Sequence, residues 1–396
     1  FPHQVSGGQL QRAMVAMAMS CDPDLIIFDE PTTALDVTTQ IEVLAAIKDA
    51  IREHNTAALY ITHDLAVVSQ IADRIMVLRY GNEVETGETR QMIENPKEDY
   101  TRELLSVRKV HQDKADIEGL GNDILTVKNI TASYGNGVRV LEDVSMAVTK
   151  GTTVAVVGES GSGKSTTARV ITGLLPPEMG EILFHGEPLA PSFKDRPQDQ
   201  LRRIQMIYQM ADVALNPRQK VKDVIGRPLE LYFGLKGDAK KARVKELLEK
   251  IELGENYMDR FPSELSGGEK QRVCIARALA AEPELIICDE VTSALDQLVA
   301  KGILKLLQDL QNDLGVSYLF ITHDLATVKA ISDEIVVMYQ GKVVEQGPRD
   351  EILTPPHHDY TDLLLSSVPE MDPDWLDGVL EHRKELEARG VVNLRT

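Results

Sequence analysis

The sequence is poor in cysteine and has no long apolar run. Its three cysteines, Cys21, Cys274 and Cys288, are scattered and show no metal-ligand spacing. This usage is typical of a reducing compartment, where thiols serve as small core residues. No uncharged apolar stretch approaches the roughly 18–20 residues of a membrane span, so we expect that the chain does not cross a bilayer. It carries no secretory signal and opens on Phe1 rather than Met, and we interpret it as a fragment.

Basic residues are also scarce relative to acidic ones. The chain has 43 Lys and Arg against 62 Asp and Glu, a formal net charge of −19. Such a surplus repels phosphate backbones, so we expect no nucleic-acid partner. The remaining composition, with 43% hydrophobic and 27% charged residues, is that of an ordinary globular protein. At 396 residues the chain is long enough for two domains.

A long internal repeat organises the sequence. Residues 1–9, which contain Ser-Gly-Gly, reappear with the same pattern at 261–269, and the spacing of 260 also relates Asp29 to Asp289. The second copy has an upstream stretch, 125–260, that the first copy lacks. We therefore predict a duplicated domain whose first copy is missing its front half. The predicted parts are 1–108 (first copy), 109–122 (charged linker), 123–368 (complete second copy) and 369–396 (charged, solvated tail).

The second copy alternates apolar runs with helical patterns. The runs 154–157, 285–288 and 317–321 are strand-like, whereas 240–251 and 299–312 have helical periodicity. This alternation predicts an α/β fold with a largely parallel sheet.

Residues 158–165 match the phosphate-binding-loop pattern GxxxxGK followed by Ser or Thr. A predicted strand, 152–157, precedes the loop and a predicted helix, 166–175, follows it. Glycines let backbone N–H groups turn toward the phosphates, and the helix N-terminus adds positive potential. We expect Lys164 to reach the β- and γ-phosphates and the Ser165 hydroxyl to bind Mg²⁺. The candidate loop residues are Gly158, Glu159, Ser160, Gly161, Ser162, Gly163, Lys164, Ser165 and Thr166.

Two acidic residues follow the apolar run 285–288. Open α/β sheets bind ligands at the carboxyl ends of their strands, which is where these acids are predicted to lie. We expect Asp289 to hold Mg²⁺ and Glu290 to act as general base toward the attacking water. Asp29 and Glu30 are the equivalent pair of the first copy.

Each copy also places Ser-Gly-Gly before a helical stretch. A single such motif is best explained as a helix N-cap with a flexible turn. Because it recurs at the same place in both copies, we favour a role in binding the γ-phosphate at a helix start. The residues are Ser6, Gly7, Gly8 and Gln9, and Ser266, Gly267, Gly268 and Glu269.

In this order, the phosphate loop, Leu-Ser-Gly-Gly, Asp-Glu, Ser-Ala-Leu-Asp and Ile-Thr-His-Asp resemble the ATP-binding cassette (ABC) ATPases. The resemblance implies a P-loop NTPase cassette with a mostly parallel core sheet, an antiparallel β subdomain and an α-helical signature subdomain. It implies ATP hydrolysis with Mg²⁺, and cassettes that pair head to tail within the full-length chain or between chains. Nearly the whole sequence is covered, as a duplicated cassette with an incomplete first copy.

The same resemblance implies roles for further residues. Tyr134 matches the aromatic that stacks on adenine, and Gln209 matches the glutamine that contacts Mg²⁺ and senses the membrane partner. The other matches occur in both copies: Asp36 and Asp296 in the loop that communicates across the dimer, and His63 and His323 as the switch histidine.

Residues 214–218 (Ala-Leu-Asn-Pro-Arg) and the Tyr-Thr segments at 100–105 and 360–365 resemble importers of the dipeptide, oligopeptide and nickel group. This implies an energy-coupling subunit at the cytoplasmic face of the membrane, with a separate permease and, indirectly, a solute-binding protein. The sequence departs from the family at Val291, where the first copy has Pro31, and at Met210, where Asp is expected.

Two alternative functions stay open. A soluble twin-cassette protein that acts on ribosomes or in enzyme activation is disfavoured by the short linker and the acidity. A nucleotide-binding scaffold without turnover is disfavoured by the presence of both Glu290 and His323. The transported solute has no signature in the sequence.

Overall fold

The computed structural model describes residues 1, 4–32, 35–106, 122–135, 137–293 and 295–388. The chain divides into two compact units: unit 1 comprises Phe1–His111 with Pro356–Thr396, and unit 2 comprises Gln112–Pro355. This division differs from the predicted boundaries, because the described residues 356–388 fold with the first copy. The predicted linker, apart from Asn122, lies outside the described residues.

Unit 1 is built from short α/β elements and two C-terminal helices. Its strands are β1 (Leu25–Asp29), β2 (Ala57–Ile61), β3 (Arg74–Arg79) and β4 (Asn82–Glu88). Its helices are α1 (Gly7–Met19), α2 (Val37–His54), α3 (Leu65–Ile71), α4 (Thr89–Glu94), α5 (Asp99–Ser106), α15 (Asp359–Ser366) and α16 (Trp375–Ala388).

Unit 2 contains the strands β5 (Asp123–Ser133), β6 (Arg139–Thr149), β7 (Thr153–Val157), β8 (Met179–Phe184), β9 (Glu187–Pro188), β10 (Ile204–Ile207), β11 (Leu285–Asp289), β12 (Ser317–Ile321), β13 (Glu334–Tyr339) and β14 (Lys342–Pro348). Its helices are α6 (Lys164–Ile171), α7 (Gln198–Arg203), α8 (Ala211–Ala214), α9 (Val221–Phe233), α10 (Gly237–Lys250), α11 (Gly267–Leu279), α12 (Gln297–Leu314), α13 (Leu325–Ile331) and α14 (Arg349–Ile352).

The core of unit 2 is a six-stranded sheet in the order β10-β11-β12-β7-β13-β14. All neighbours pair in parallel except β13 and β14, which are antiparallel. Strands of a covered parallel sheet are apolar on both faces, and every residue of β7, β11 and β12 is buried. A second sheet, β6-β5-β8-β9, is antiparallel, and helices α8 to α12 share an apolar cluster with β10, β11 and β12. The predicted fold class is therefore confirmed.

Unit 1 repeats part of this sheet, and its described residues contain no equivalent of β7 or of β10. In unit 2, β7 lies between β12 and β13, whereas the equivalent β2 and β3 belong to separate two-stranded sheets among the described residues. One face of β1 is uncovered: Leu25 is 56% and Ile27 is 60% exposed, whereas their equivalents Leu285 and Ile287 are fully buried in a cluster with residues of α6 and of the antiparallel sheet. In its described residues the first copy thus has the back half of the fold without the strand that carries the phosphate loop.

The C-terminal helix is not the solvated tail that the sequence predicts. Leu376 and Val379 of α16 are buried in a cluster with Ile41, Leu44 and Val67, from α2 and α3. Charged residues make the narrow apolar stripe of this helix hard to recognise in the sequence, and the residues that cover the stripe belong to the first copy. None of the described helices is both long and apolar enough to span a membrane.

Candidate nucleotide site

The phosphate loop joins the end of β7 to the start of α6. Two of its glycines have conformations and neighbours that leave no room for a side chain. Gly158 has φ +146°, and a Cβ there would lie 2.1 Å from the Met338 carbonyl oxygen. Gly163 has φ +105°, and its Cβ would lie 2.6 Å from the Leu141 side chain. The glycine pattern is therefore required by backbone geometry and close packing.

Lys164 lies inside this loop. It is only 6% exposed, and its Nζ donates to the carbonyl oxygens of Gly158 at 2.8 Å and Glu159 at 2.7 Å. A buried ammonium needs such acceptors, because burial of an unpaired charge is costly. The structure thus brings the predicted phosphate-binding cation to the mouth of the loop.

The first turn of α6 meets the end of β11. The Ser165 hydroxyl donates to Asp289 Oδ1 at 2.9 Å. Burial is the main cause that raises the pKa of the Asp289 carboxyl, and the hydrogen bond from Ser165 opposes it. A hydroxyl and a carboxylate are hard oxygen donors of the kind Mg²⁺ prefers. Among the described residues no group of three or more His, Cys, Asp and Glu forms a metal cluster, so Mg²⁺ would need further oxygens from substrate or water.

Glu290 follows Asp289 and is held from two sides. Gln209 Nε2 donates to its Oε2 at 2.5 Å, and His323 Nδ1 lies 3.3 Å from its Oε1. Glu290 also has φ +50°, an uncommon conformation for a non-glycine residue that turns the chain sharply after β11. The three predicted residues Gln209, Glu290 and His323 are therefore brought together by the fold.

His323 is partly buried beside this carboxylate. Burial alone would lower the pKa of its imidazole, but the hydrogen bond and the charge of Glu290 outweigh burial and raise the pKa. The first copy repeats the arrangement: Glu30 has φ +47°, and His63 Nδ1 lies 3.0 Å from Glu30 Oε1. Asp29 again ends the strand. The pairing of the acid with the histidine is thus built into the repeat.

Tyr134 is positioned by a residue that the sequence did not single out. Its hydroxyl lies 3.3 Å from the Thr166 hydroxyl and accepts from Arg169 Nη1 at 3.0 Å. Arg169 is on α6, five positions after Lys164. Its position on the helix that leaves the loop is the only sequence signal that could have identified it.

The serine of each Ser-Gly-Gly motif is the N-cap of the following helix. Ser6 Oγ accepts from Gln9 N at 3.3 Å, and Ser266 Oγ accepts from Glu269 N at 3.4 Å. In both copies the side chain at the fourth position bonds back to the serine N–H, which completes a capping box. The helices therefore begin at Gly7 and Gly267, two residues earlier than the sequence pattern indicates.

The last glycine of each motif packs against the helix that begins after the loop aspartate of the same copy, Asp36 or Asp296. A Cβ on Gly8 would lie 2.2 Å from Thr39 Cγ2, and a Cβ on Gly268 would lie 2.4 Å from Val299 Cγ1. Close helix approach is thus a structural reason for this glycine in both copies, independent of any ligand.

Asp36 and Asp296 are the N-caps of α2 and α12. Asp36 Oδ1 accepts from Thr39 N at 3.0 Å, and Asp296 Oδ1 accepts from Val299 N at 3.0 Å. Asp36 also accepts from the Thr38 hydroxyl at 2.7 Å. The structure therefore accounts for both aspartates as caps, and their role between cassettes stays a prediction.

The predicted residues fall into two groups in the structure. Unit 2 holds the phosphate loop, Tyr134, Gln209, Asp289, Glu290 and His323, together with Ser266, Gly267, Gly268, Glu269 and Asp296 at the starts of α11 and α12. Unit 1 holds Ser6, Gly7, Gly8, Gln9, Asp29, Glu30, Asp36 and His63.

Comparison with protein families gives two matches. The ABC transporter family matches residues 1–33 and 141–293, and the oligopeptide/dipeptide transporter C-terminal region matches residues 84–131 and 344–389. Both families match both copies of the repeat. The paired matches at the C-terminal ends fit the importer subgroup that the sequence resembles.

Among curated proteins, the chain is 41% identical to the glutathione import ATP-binding protein GsiA of Escherichia coli over 94% of its length. The GsiA proteins of Shigella boydii and Salmonella choleraesuis match equally well. The chain spans 66% of the length of these relatives.

Two solved structures are similar to this chain. One is cbiO1 from Clostridium perfringens, part of the ABC transporter complex cbiONQ (TM-score 0.52, 28% identity, 68% of this chain and 96% of that one). The other is an ATP-binding cassette in a dimeric post-hydrolysis state bound to ADP and Pi (TM-score 0.50, 31% identity, 57% of this chain and 98% of that one).

Proposed function

Because the chain belongs to the ATP-binding cassette family of transporter ATPases, we propose that it hydrolyses ATP as the energy-coupling part of an importer. The observation that carries this proposal is the convergence of Lys164, the Ser165–Asp289 pair and Glu290 at the carboxyl ends of β7 and β11. This is the edge of the sheet where an α/β fold binds ligands.

In the proposed site the phosphates of ATP lie on the loop N–H groups, with the Lys164 ammonium against the β- and γ-phosphates. Tyr134 stacks on the adenine, and Arg169 holds its hydroxyl in place. Ser165, Asp289 and Gln209 would hold Mg²⁺, which would neutralise charge on the phosphate oxygens. The observed hydrogen bond from Ser165 to Asp289 supports this donor set, since both oxygens point to one place.

Glu290 is the proposed general base. Its carboxylate orients the attacking water and accepts its proton, while His323 and Gln209 fix the carboxylate in position. Gln209 donates to one carboxylate oxygen, and the protonated imidazole of His323 can donate to the other.

The proposed solute class is peptides or related small solutes. The match to the oligopeptide/dipeptide transporter C-terminal region and the similarity to glutathione importers support it. The partners are then integral-membrane permease subunits and, indirectly, a solute-binding protein, and the location is the cytoplasmic face of the membrane. We place the permease contact on residues 209–218, which follow β10 and include the departure at Met210.

The family pairs its cassettes head to tail, within the full-length chain or between chains. In that arrangement Ser6, Gly7, Gly8 and Asp36 of the first copy complete the ATP site of the second. This part of the proposal is supported by the preserved caps of the first copy, whose geometry matches that of the second.

The test combines turnover with membrane association. Lys164→Ala should abolish Mg²⁺-dependent ATP binding and hydrolysis, because the ammonium inside the loop has no substitute. Lys194→Ala, at an exposed lysine remote in sequence from the loop, is the control and should behave as the parent.

The parent, co-expressed with its neighbouring permease, should fractionate with membranes. Free fractionation of an active ATPase would favour the soluble twin-cassette alternative instead.

A further inference from the structure

The C-terminal segment, defined here as residues 370–386, packs on helices α2 and α3 of unit 1. Leu376 is fully buried and Val379 nearly so, in a cluster with Ile41, Leu44 and Val67. Two ion pairs flank the contact at its exposed edge, Lys48 with Asp377 and Arg90 with Asp374. Exposed pairs of this kind contribute little, so the apolar cluster is the main source of stability for the contact.

Gln70 provides the polar centre of the contact. Its side chain is 3% exposed, and its Nε2 donates to the carbonyl oxygens of Glu370 at 2.7 Å and Asp372 at 2.8 Å. Its Oε1 accepts from Leu376 N at 3.1 Å, at the first turn of α16. Gln70 of α3 therefore binds the segment that leads into α16. It also binds a backbone N–H in the first turn of α16, which has no hydrogen-bond partner within the helix.

Arg383, two turns further along α16, bonds to the start of α2. It is 3% exposed, and its Nη2 donates to the Thr38 carbonyl oxygen at 3.0 Å. The Thr38 hydroxyl in turn donates to Asp36 Oδ1 at 2.7 Å. The buried guanidinium of Arg383 is therefore linked to Asp36, the loop aspartate of the first copy, through a single intervening residue, Thr38.

The second copy lacks the features that receive the segment. At the positions equivalent to Ile41, Val67 and Gln70 it has lysine, threonine and alanine. These residues are Lys301, Thr327 and Ala330, and Lys301 is exposed. The apolar face with its glutamine is therefore present on α2 and α3 of the first copy and absent from the equivalent helices, α12 and α13, of the second. The difference indicates a surface adapted to one specific occupant.

We propose that the C-terminal segment is a dedicated brace for the first cassette, and that Arg383 is a positioning residue for Asp36. The role of Asp36 in hydrolysis rests on the proposed function. The docking of the segment does not, since it follows from contacts within unit 1.

The docking is tested by hydrogen exchange on the full chain. Replacing the receiving face with the residues of the second copy, in the triple variant Ile41→Lys, Val67→Thr and Gln70→Ala, should remove the contact. Amide protection across 376–386 should then fall about tenfold or more, while β7 and β11 keep theirs. The matched control exchanges two exposed residues of α2 in the same way, Arg52→Asn and Glu53→Asp, and should leave protection unchanged. Unchanged protection in the triple variant would overturn the proposal.

The positioning role is tested by ATP turnover. Arg383→Ala should lower kcat about threefold or more with KM for ATP changed by less than about twofold, as expected for coupling through Asp36. Arg383→Lys keeps a donor and should restore part of the rate, and the neighbouring exposed Lys384→Ala is the control. An Arg383→Ala variant with parental kcat would overturn the positioning role. A parent with no turnover would contradict the proposed function while the exchange experiment still decides the docking.

Discussion

Ser165 and Asp289 share a hydrogen bond of 2.9 Å between residues 124 positions apart in the sequence. The bond joins the helix that leaves the phosphate loop to the end of a central strand. It thereby places side by side two of the oxygens that we propose as Mg²⁺ ligands.

This pair yields a prediction about metal dependence. Ser165→Ala should weaken ATP binding in the presence of Mg²⁺ by about tenfold or more, because one of the proposed Mg²⁺ ligands is lost, which costs at least about 1.4 kcal/mol. In the presence of a chelator the variant and the parent should bind nucleotide alike. Calorimetric titration under both conditions measures the difference. Thr172→Ala, which removes a hydroxyl bonded only to the backbone of α6, is the control. Equal Mg²⁺ dependence in parent and Ser165→Ala would contradict the assignment.

The sequence predicts most of this site, for a physical reason. A phosphate loop, a strand ending in two acids and a capped helix are local patterns, and each constrains its own backbone. The loop pattern identifies Gly158 and Gly163, and the structure gives the reason for them: their positive φ and tight packing admit no other residue. The parallel order of the sheet then brings the loop and the acids together at one edge.

What the sequence did not predict depends on contacts between distant segments. Arg169 has no recognisable motif, and its role becomes visible only once Tyr134 lies above α6. The burial of α16 depends on Ile41 and Gln70, which belong to the first copy. From its sequence alone, a helix with many charged residues is predicted to be exposed to solvent. Its burial can be recognised only when the surface that covers its apolar stripe is known.

A second prediction concerns the base. Glu290→Gln should retain ATP binding and lower the hydrolysis rate by about 10²–10⁴-fold, because the amide keeps the shape but accepts no proton. Single-turnover kinetics with bound ATP measure the step directly. Glu282→Gln, at an exposed acid shortly before the same strand, should hydrolyse at the parental rate. Parental turnover by Glu290→Gln would show that another group is the base.

A third prediction follows from the pKa of His323, which is raised above its ordinary value of 6.5 by Glu290 against the opposing effect of burial. A raised pKa in the folded state means that the protonated imidazole stabilises the fold. This contribution is complete below the unfolded pKa and is lost as pH rises through the folded pKa. The difference in free energy of unfolding between the parent and His323→Gln should therefore shrink as pH rises above 6.5.

Denaturant titrations of both proteins across this pH range measure that difference, and the effects of all other groups cancel to first order. A difference that stays constant or grows with pH would contradict the stabilising contact between His323 and Glu290.

A fourth prediction concerns the last glycine of the first Ser-Gly-Gly motif. Gly8→Ala should destabilise unit 1 by about 1–3 kcal/mol, because its Cβ would lie 2.2 Å from Thr39 Cγ2. Thr39→Ala removes that methyl group and should restore most of the loss in the double variant. Gly7→Ala is the milder comparison, since its Cβ would meet the Leu35 side chain at 3.3 Å. Thermal unfolding of the four variants measures the effect. A double variant no more stable than Gly8→Ala would show that Thr39 is not the cause.

The last prediction is that the 396-residue chain binds one ATP. Its sequence contains a single phosphate loop, Gly158–Ser165, and phosphate contacts supply the larger part of nucleotide affinity in such sites. Unit 1 repeats the Ser-Gly-Gly motif, the strand acids and the histidine, yet the described part of its sheet has no equivalent of β7 to carry a second loop. A helix start capped by its own serine does not hold a triphosphate by itself. Calorimetric titration with ATP and Mg²⁺ should therefore give a stoichiometry of about one per chain, which Lys164→Ala reduces to zero. Two occupied sites per chain, or one that survives Lys164→Ala, would show that nucleotide binds elsewhere than at the loop of unit 2.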